Sequence, residues 1–254
     1  MNSFYVLKPD ISDIPSLRVL WKRAFSDTDE FLDGFFNTAF STERCRCVKN
    51  ENLVIAALYI FDCIYRYEKL AYIYAVATLP EHRGKGIGKA LIKETLKQLE
   101  KLGYCGAILV PSDDKLFDFY EKLNFKTACY VDKIECFASE NPVPLRTVNA
   151  KEYGMLRKKY LGDSAVFQED ENLDFLALGS ELYEGDCFLL ACRRENGVLF
   201  GIELLGNNTY IKDIVYTLGC KRGVFRTAGK NIPFAMHYPI HCMPAPDYFG
   251  LAFD

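Results

Sequence analysis

The stretch Arg83-Gly84-Lys85-Gly86-Ile87-Gly88-Lys89 constrains this 254-residue chain more than any other. It follows the apolar run Tyr72-Ile-Tyr-Ala-Val-Ala-Thr78 and opens an amphipathic segment from Ile87 to Leu102. That order predicts a strand, a glycine-rich turn and a helix. Glycines let the backbone approach a ligand and take angles that other residues avoid. The first N–H groups of the helix have no partner inside it and point outward as donors. The helix dipole adds partial positive charge at the same end. Arg83, Lys85 and Lys89 add full charges, so the turn suits a diphosphate.

Three loops bind diphosphates in this setting. A P-loop needs Gly, four residues, then Gly-Lys-Ser/Thr. Counting back from Gly88-Lys89 puts Arg83 at the first glycine and Ala90 at the Ser/Thr. A dinucleotide fingerprint needs Gly-x-Gly-x-x-Gly; Gly84, Gly86 and Gly88 are spaced too tightly. The pattern that fits is Arg-x-x-Gly-x-Gly, met by Arg83, Gly86 and Gly88. Further on, Gly103 marks a helix end, Cys105 to Val110 reads as a buried strand, and Pro111-Ser-Asp-Asp114 offers capping residues for another helix. That helix carries Phe119-Tyr-Glu-Lys-Leu-Asn-Phe125. Loop and second run together resemble the two signatures of the GNAT superfamily, the acyl-CoA-dependent N-acyltransferases, over roughly residues 1–140. Asn124 stands where the family usually has glycine, and Asn tolerates the left-handed conformation of a helix end. Asp113 stands where an asparagine is common.

The rest of the composition is consistent with a cytoplasmic enzyme. Half the residues are hydrophobic and the net charge is −3, which argues against a nucleic-acid-binding surface. The ten cysteines include no Cys-x-x-Cys, and the N-terminus lacks the basic start and apolar core of a signal peptide. Reduced thiols are expected. The longest apolar stretch, Leu53 to Phe61, is too short to span a bilayer, which takes ~20 residues. No membrane partner is expected.

Phe4 to Lys8 reads as a strand. Ile14 to Phe25 and Thr28 to Phe40 have helical spacing. Cys45 to Lys49, Leu53 to Cys63 and Leu70 to Thr78 read as an antiparallel meander. Phe125 to Tyr130 and Lys133 to Phe137 read as two more strands. Ser139-Glu-Asn-Pro-Val-Pro144 is the best linker. Beyond it the order restarts: strand Leu145 to Val148, Asn149 as a cap, a helix through Tyr160, and a second from about Asn172 to Leu182. A hairpin follows across Asn196-Gly197, then a short helix Ile211 to Leu218. Val224 to Thr227 and Pro233 to Tyr238 suggest another hairpin. The expectation is a mixed α/β (α+β) chain: a GNAT fold over residues 1–140, then a smaller α+β, degenerate GNAT-like accessory domain over 141–254. Arg222-Gly-Val-Phe-Arg-Thr227 lacks the second and third loop glycines, so no CoA is expected there.

The resemblance implies an acetyl-CoA-dependent N-acetyltransferase acting by direct transfer on a primary amine of a small molecule or peptide. Arg83, Gly84, Lys85, Gly86, Ile87, Gly88 and Lys89 would anchor the pyrophosphate, with Asp113 on the CoA side. Backbone groups of Val76, Ala77 and Thr78 would pair with the pantetheine. Tyr120 would be the general acid toward the sulfur; a phenol is protonated at neutral pH. The plainer reading of Tyr120 is a core tyrosine. Asp254 is the sharper candidate base, since relatives exist whose terminal carboxylate enters the site; packing of the apolar tail as a final strand is the alternative. Glu68 and Glu81 read as solvated charges at the strand ends. Tyr72 and Tyr74 either line the acceptor pocket or fill the core. His237, His241 and Cys242 lack the spacing and partners of a zinc site, so no metal is expected. A silent acyl-CoA sensor or an interaction module is the competing function, and a homodimer stays open.

Overall fold

The computed structural model describes residues 4–253. The chain forms two compact units. One comprises the described residues up to Lys126 with His237–Pro244; the other comprises Thr127–Met236 with the described residues from Ala245 onward. The first unit takes one segment from the far half of the sequence.

The first unit runs β1 (Val6–Leu7), α1 (Ile14–Phe25), α2 (Asp29–Thr38), β2 (Cys45–Asn50), β3 (Leu53–Tyr65), β4 (Glu68–Thr78), α3 (Ile87–Lys101), β5 (Gly106–Leu109) and α4 (Asp114–Glu121). The strands stand in sequence order, antiparallel as far as β4, with β5 parallel to it. Thr28 caps α2 by accepting from the Phe31 N–H, which satisfies one orphan donor. Strand parity separates the two faces. Cys45 and Tyr59 are register partners, and Trp21 of α1 packs on Tyr59 with ring centroids 4.9 Å apart. Arg46, one residue on, points to the other face, where its Nε donates to Gln98 Oε1 of α3 at 2.5 Å. Thus α1 and α2 cover one face and α3 the other.

The second unit takes β6 (Lys126–Phe137) from Thr127 onward and continues with β7 (Arg146–Thr147), α5 (Ala150–Tyr160), β8 (Phe167–Gln168), α6 (Glu171–Gly179), β9 (Glu181–Glu184), β10 (Phe188–Glu195), β11 (Val198–Gly206), α7 (Ile211–Thr217), β12 (Arg222–Ala228) and β13 (Ile232–Pro239) as far as Met236. Its strands β7, β9, β10, β11 and β12 are neighbours in that order, antiparallel until β12 joins β11 in parallel. This repeats the first unit strand for strand, with α5 and α6 at the places of α1 and α2. Leu189 and Ala191 face a core with α5, α6 and the tail; Phe188, Leu190 and Cys192 face a core with α7.

Four local expectations change. The 125–137 region is one strand rather than two: Asp132 is a ladder residue opposite Thr227, and its carboxylate accepts from the Lys230 and Asn231 N–H groups. The turn-former caps a turn elsewhere in the chain. β12 and β13 are not a hairpin, because β6 lies between them. The helix expected to reach Leu182 ends at Gly179, and 181–184 is strand β9, paired with β10. The tail is packed, with Tyr248, Phe249, Leu251 and Ala252 buried, but it forms only an isolated bridge between Ala165 and Tyr248. Among the described residues no helix is long and apolar enough to cross a membrane.

Candidate active site

The site grows out of the parting of β4 from β5. The two pair at Leu70–Gly106, Ala71–Ala107 and Tyr72–Ile108. Beyond Tyr72, β4 runs on to Thr78 without that neighbour. On its other side it pairs Tyr74 with Tyr59 and then Ala77 with Ala57, so Ala75 and Val76 together oppose Leu58. This is a β-bulge, which bends the strand and leaves backbone groups out of the ladder. Ala75 has φ 47°, a left-handed conformation that costs a non-glycine residue about 1–2 kcal/mol. Tyr74, Ala75 and Val76 are all half-buried.

The loop follows directly. Gly84 and Gly86 have φ 74° and 79°, so both positions require glycine's freedom. Gly86 ends the turn, and the Ala90 N–H returns to its carbonyl at 3.0 Å. The N–H groups ahead of that bond have no acceptor within the helix. No acidic residue stands in the first turn of α3, and Lys85 and Lys89 are exposed. A Cβ on Gly88 would lie 3.6 Å from Thr78 Oγ1, so helix and strand end meet closely there. Arg83 is folded back, with Nε donating to the Thr78 carbonyl at 3.0 Å; it braces the turn.

Tyr120 sits on α4, 6% exposed, its ring edge-on to Phe119 and Phe125. Burial, helped by the charge of Asp113, pushes its hydroxyl up to about 12. It therefore stays protonated at neutral pH. Asp113 is the N-cap of α4: Oδ1 accepts from the Lys115 and Leu116 N–H groups at 2.8 and 3.1 Å. Glu81 is held by Arg23 through two bonds of 2.8 and 2.9 Å, and that pairing keeps its carboxyl below the usual range. Glu68 opens β4, about 26 Å from Val76 at ~3.3 Å per residue. Neither carboxylate is free at the bulge. Tyr72 is buried and stacked on Phe61. Tyr74 is half-buried, 5.7 Å from the Trp21 ring. Asp254 lies outside the described residues. Burial lowers the His237 imidazole to about 4, and no group of three or more His, Cys, Asp or Glu able to hold a metal occurs among the described residues.

Sequence reasoning missed the bulge. Alanine carries the positive φ at position 75, and no glycine advertised it. It also missed the aromatic layer around Tyr74, although β3 carries the matching alternation Tyr59 and Phe61.

Residues 8–128 match the model of the acetyltransferase (GNAT) domain. That segment of the chain is a GNAT acetyltransferase domain. A search of curated protein sequences finds no match. Among solved structures, a GCN5-related N-acetyltransferase from Anabaena variabilis is 15% identical with a TM-score of 0.72, over 92% of this chain and 72% of that one. One from Kribbella flavida is 13% identical with a TM-score of 0.69, over 92% and 70%. Eis1 from Mycobacterium abscessus is 10% identical with a TM-score of 0.67, over 92% and 73%. At such identities the likeness is one of fold.

Proposed function

We propose that the chain is an acetyl-CoA-dependent N-acetyltransferase that moves the acetyl group directly to a primary amine. The observation that carries this reading is the bulged end of β4, freed from β5 and running straight into the glycine loop of α3. The loop N–H groups, Lys85 and Lys89 would hold the pyrophosphate. Backbone groups of Val76, Ala77 and Thr78 would pair with the pantetheine and polarise the thioester carbonyl. Placing both reactants on one rigid strand supplies much of the rate.

The amine attacks in its neutral form. A C–N bond forms, the C–S bond breaks, the amine nitrogen loses a proton and the departing sulfur takes one from Tyr120. With Glu81 paired to Arg23 and Glu68 at the far end of β4, we assign the amine's proton to water. Asp254 as base is the alternative, and full turnover by a folded Asp254→Asn variant would remove it. Asp113 would act on the CoA side only through its place at the start of α4. The unit that carries the glycine loop would be the catalytic domain and the other the accessory one, the protein acting in the cytoplasm.

The test is thiol release from acetyl-CoA by wild type and Tyr120→Phe across an amine panel. Removing a general acid costs 10²-fold or more in rate. The reading expects a loss of about that size with acetyl-CoA affinity unchanged. Equal turnover by the two would take the acid role from Tyr120, and no release with any amine would favour a silent acyl-CoA sensor.

A further inference from the structure

The two faces of β4 offer different surroundings. The loop and α3 occupy one, so a second substrate meets the bulge from the face of α1 and α2. That face is a layer of rings. Tyr59 and Tyr74 are cross-strand partners, as are Phe61 and Tyr72. Above them lie Trp21 and Phe35, 5.7 and 6.1 Å from Tyr74. Most of these rings meet tilted or edge-on, as aromatic quadrupoles prefer.

Three of the carboxylates on this side are already committed. Asp27 accepts from Trp21 Nε1 at 2.8 Å. Asp33 pairs with Arg18 at 2.7 Å, and Asp29 with Lys22 at 2.5 Å. The Arg18 guanidinium stands over Phe36, 5.6 Å from its centroid, so that ring's cation-binding face is taken. A second observation points to a ligand. The Tyr59 hydroxyl is buried with no hydrogen-bond partner, in a residue 4% exposed. An unmade bond of this kind leaves the loss of water uncompensated, which a polar atom on an inserted ring would recover.

Resting on the acyltransferase reading, we infer that the acceptor is an amine carried on an aromatic body, an arylalkylamine, rather than a polyamine or another polycation. The ring would slide beside Tyr74 and set the amino group at the bulge. An apolar setting favours the neutral amine, the form that attacks. A polycation would have to give up water around several charges against a layer of rings.

Trp21 is the chain's single tryptophan and lies inside the layer, so its emission is a built-in reporter. The experiment titrates the full chain, with and without CoA, with tyramine and with spermidine, exciting Trp21 where tyramine does not absorb. The expected result is a saturable change in Trp21 emission with tyramine and none with spermidine, weakened about tenfold by Tyr74→Ala in a variant that still binds CoA. Saturable binding of spermidine, or none of tyramine, overturns the inference. Thiol release with the same two amines separates the readings. Spermidine acetylated and tyramine not sinks the acceptor class and keeps the transfer. Tyramine bound without release sinks the transfer and keeps the aromatic subsite.

Discussion

β4 and β5 pair at three positions and part; β11 and β12 pair from Val198–Arg222 through to Leu204–Thr227. Both units bulge at the same stage of the same strand, β4 at Ala75–Val76 and β11 beside Glu203. In the first unit the bulge is half-open and followed by the glycine loop. In the second it is filled. Glu203 and Arg157 are both fully buried. Arg157 Nε and Nη2 donate to Glu203 at 2.8 and 3.0 Å, and the Tyr153 and Tyr248 hydroxyls donate to the same carboxylate. The close approach of Gly250, whose Cβ would lie 2.3 Å from Glu203 Oε1, completes the seal. α7 has seven residues against fifteen in α3. One topology thus carries a half-open bulge and glycine loop in one copy and a buried salt bridge in the other. The difference lies in how long the parallel pair stays together and what the bulge faces.

The most damaging way to break this contrast is to strand a charge in the sealed unit. Glu203→Gln leaves Arg157 buried without its counter-charge, and such losses run to about 3–5 kcal/mol. Chemical denaturation should show it, while the remaining folded protein keeps its acetyl-CoA affinity. Replacing both partners, Arg157→Met with Glu203→Leu, should cost less than either single change, because no charge is then orphaned.

Next in size is a pH effect in the notched unit. His237 packs where a Cβ on Gly106 would come within 2.7 Å of its Nε2, and burial depresses it from 6.5 to about 4. Between those values the unfolded chain binds the extra proton and the folded one does not. Stability is therefore intact above pH 6.5 and falls as pH drops toward 4, by up to roughly 3 kcal/mol. Denaturation midpoints across that range check this, and His237→Asn should flatten the profile.

The smallest effect separates the units by function. Asp113 caps α4 and Asn149 caps α5, each side chain accepting from backbone N–H. Asp113→Ala and Asn149→Ala should each cost about 1 kcal/mol. Only Asp113→Ala, which loosens the start of the Tyr120 helix, should also slow turnover.

What was legible in the sequence was local. The loop glycines, the caps at Asp113 and Asn149, and the Asn196-Gly197 turn each announce themselves within a few residues. Asn196 and Gly197 indeed take φ 51° and 76°. What was hidden depends on distant partners. The span of β6 is set by β12, some ninety positions on, and Asp132 looked like a break only because its turn is at 229–231. The Arg157–Glu203 pair spans two elements whose separate patterns give no sign of it. The bulge at Ala75 is set by the mismatch with β3, not by any residue that prefers its angle.

The central claim, one live cofactor notch and one sealed copy, is tested most directly by calorimetric titration of the full chain with acetyl-CoA, wild type beside Gly88→Glu. Gly88 has ordinary helical angles and room for a Cβ, so the added carboxylate acts on the anion site without straining the turn. The account predicts one acetyl-CoA per chain and none in the folded variant. Two per chain, or binding that survives Gly88→Glu, would contradict it.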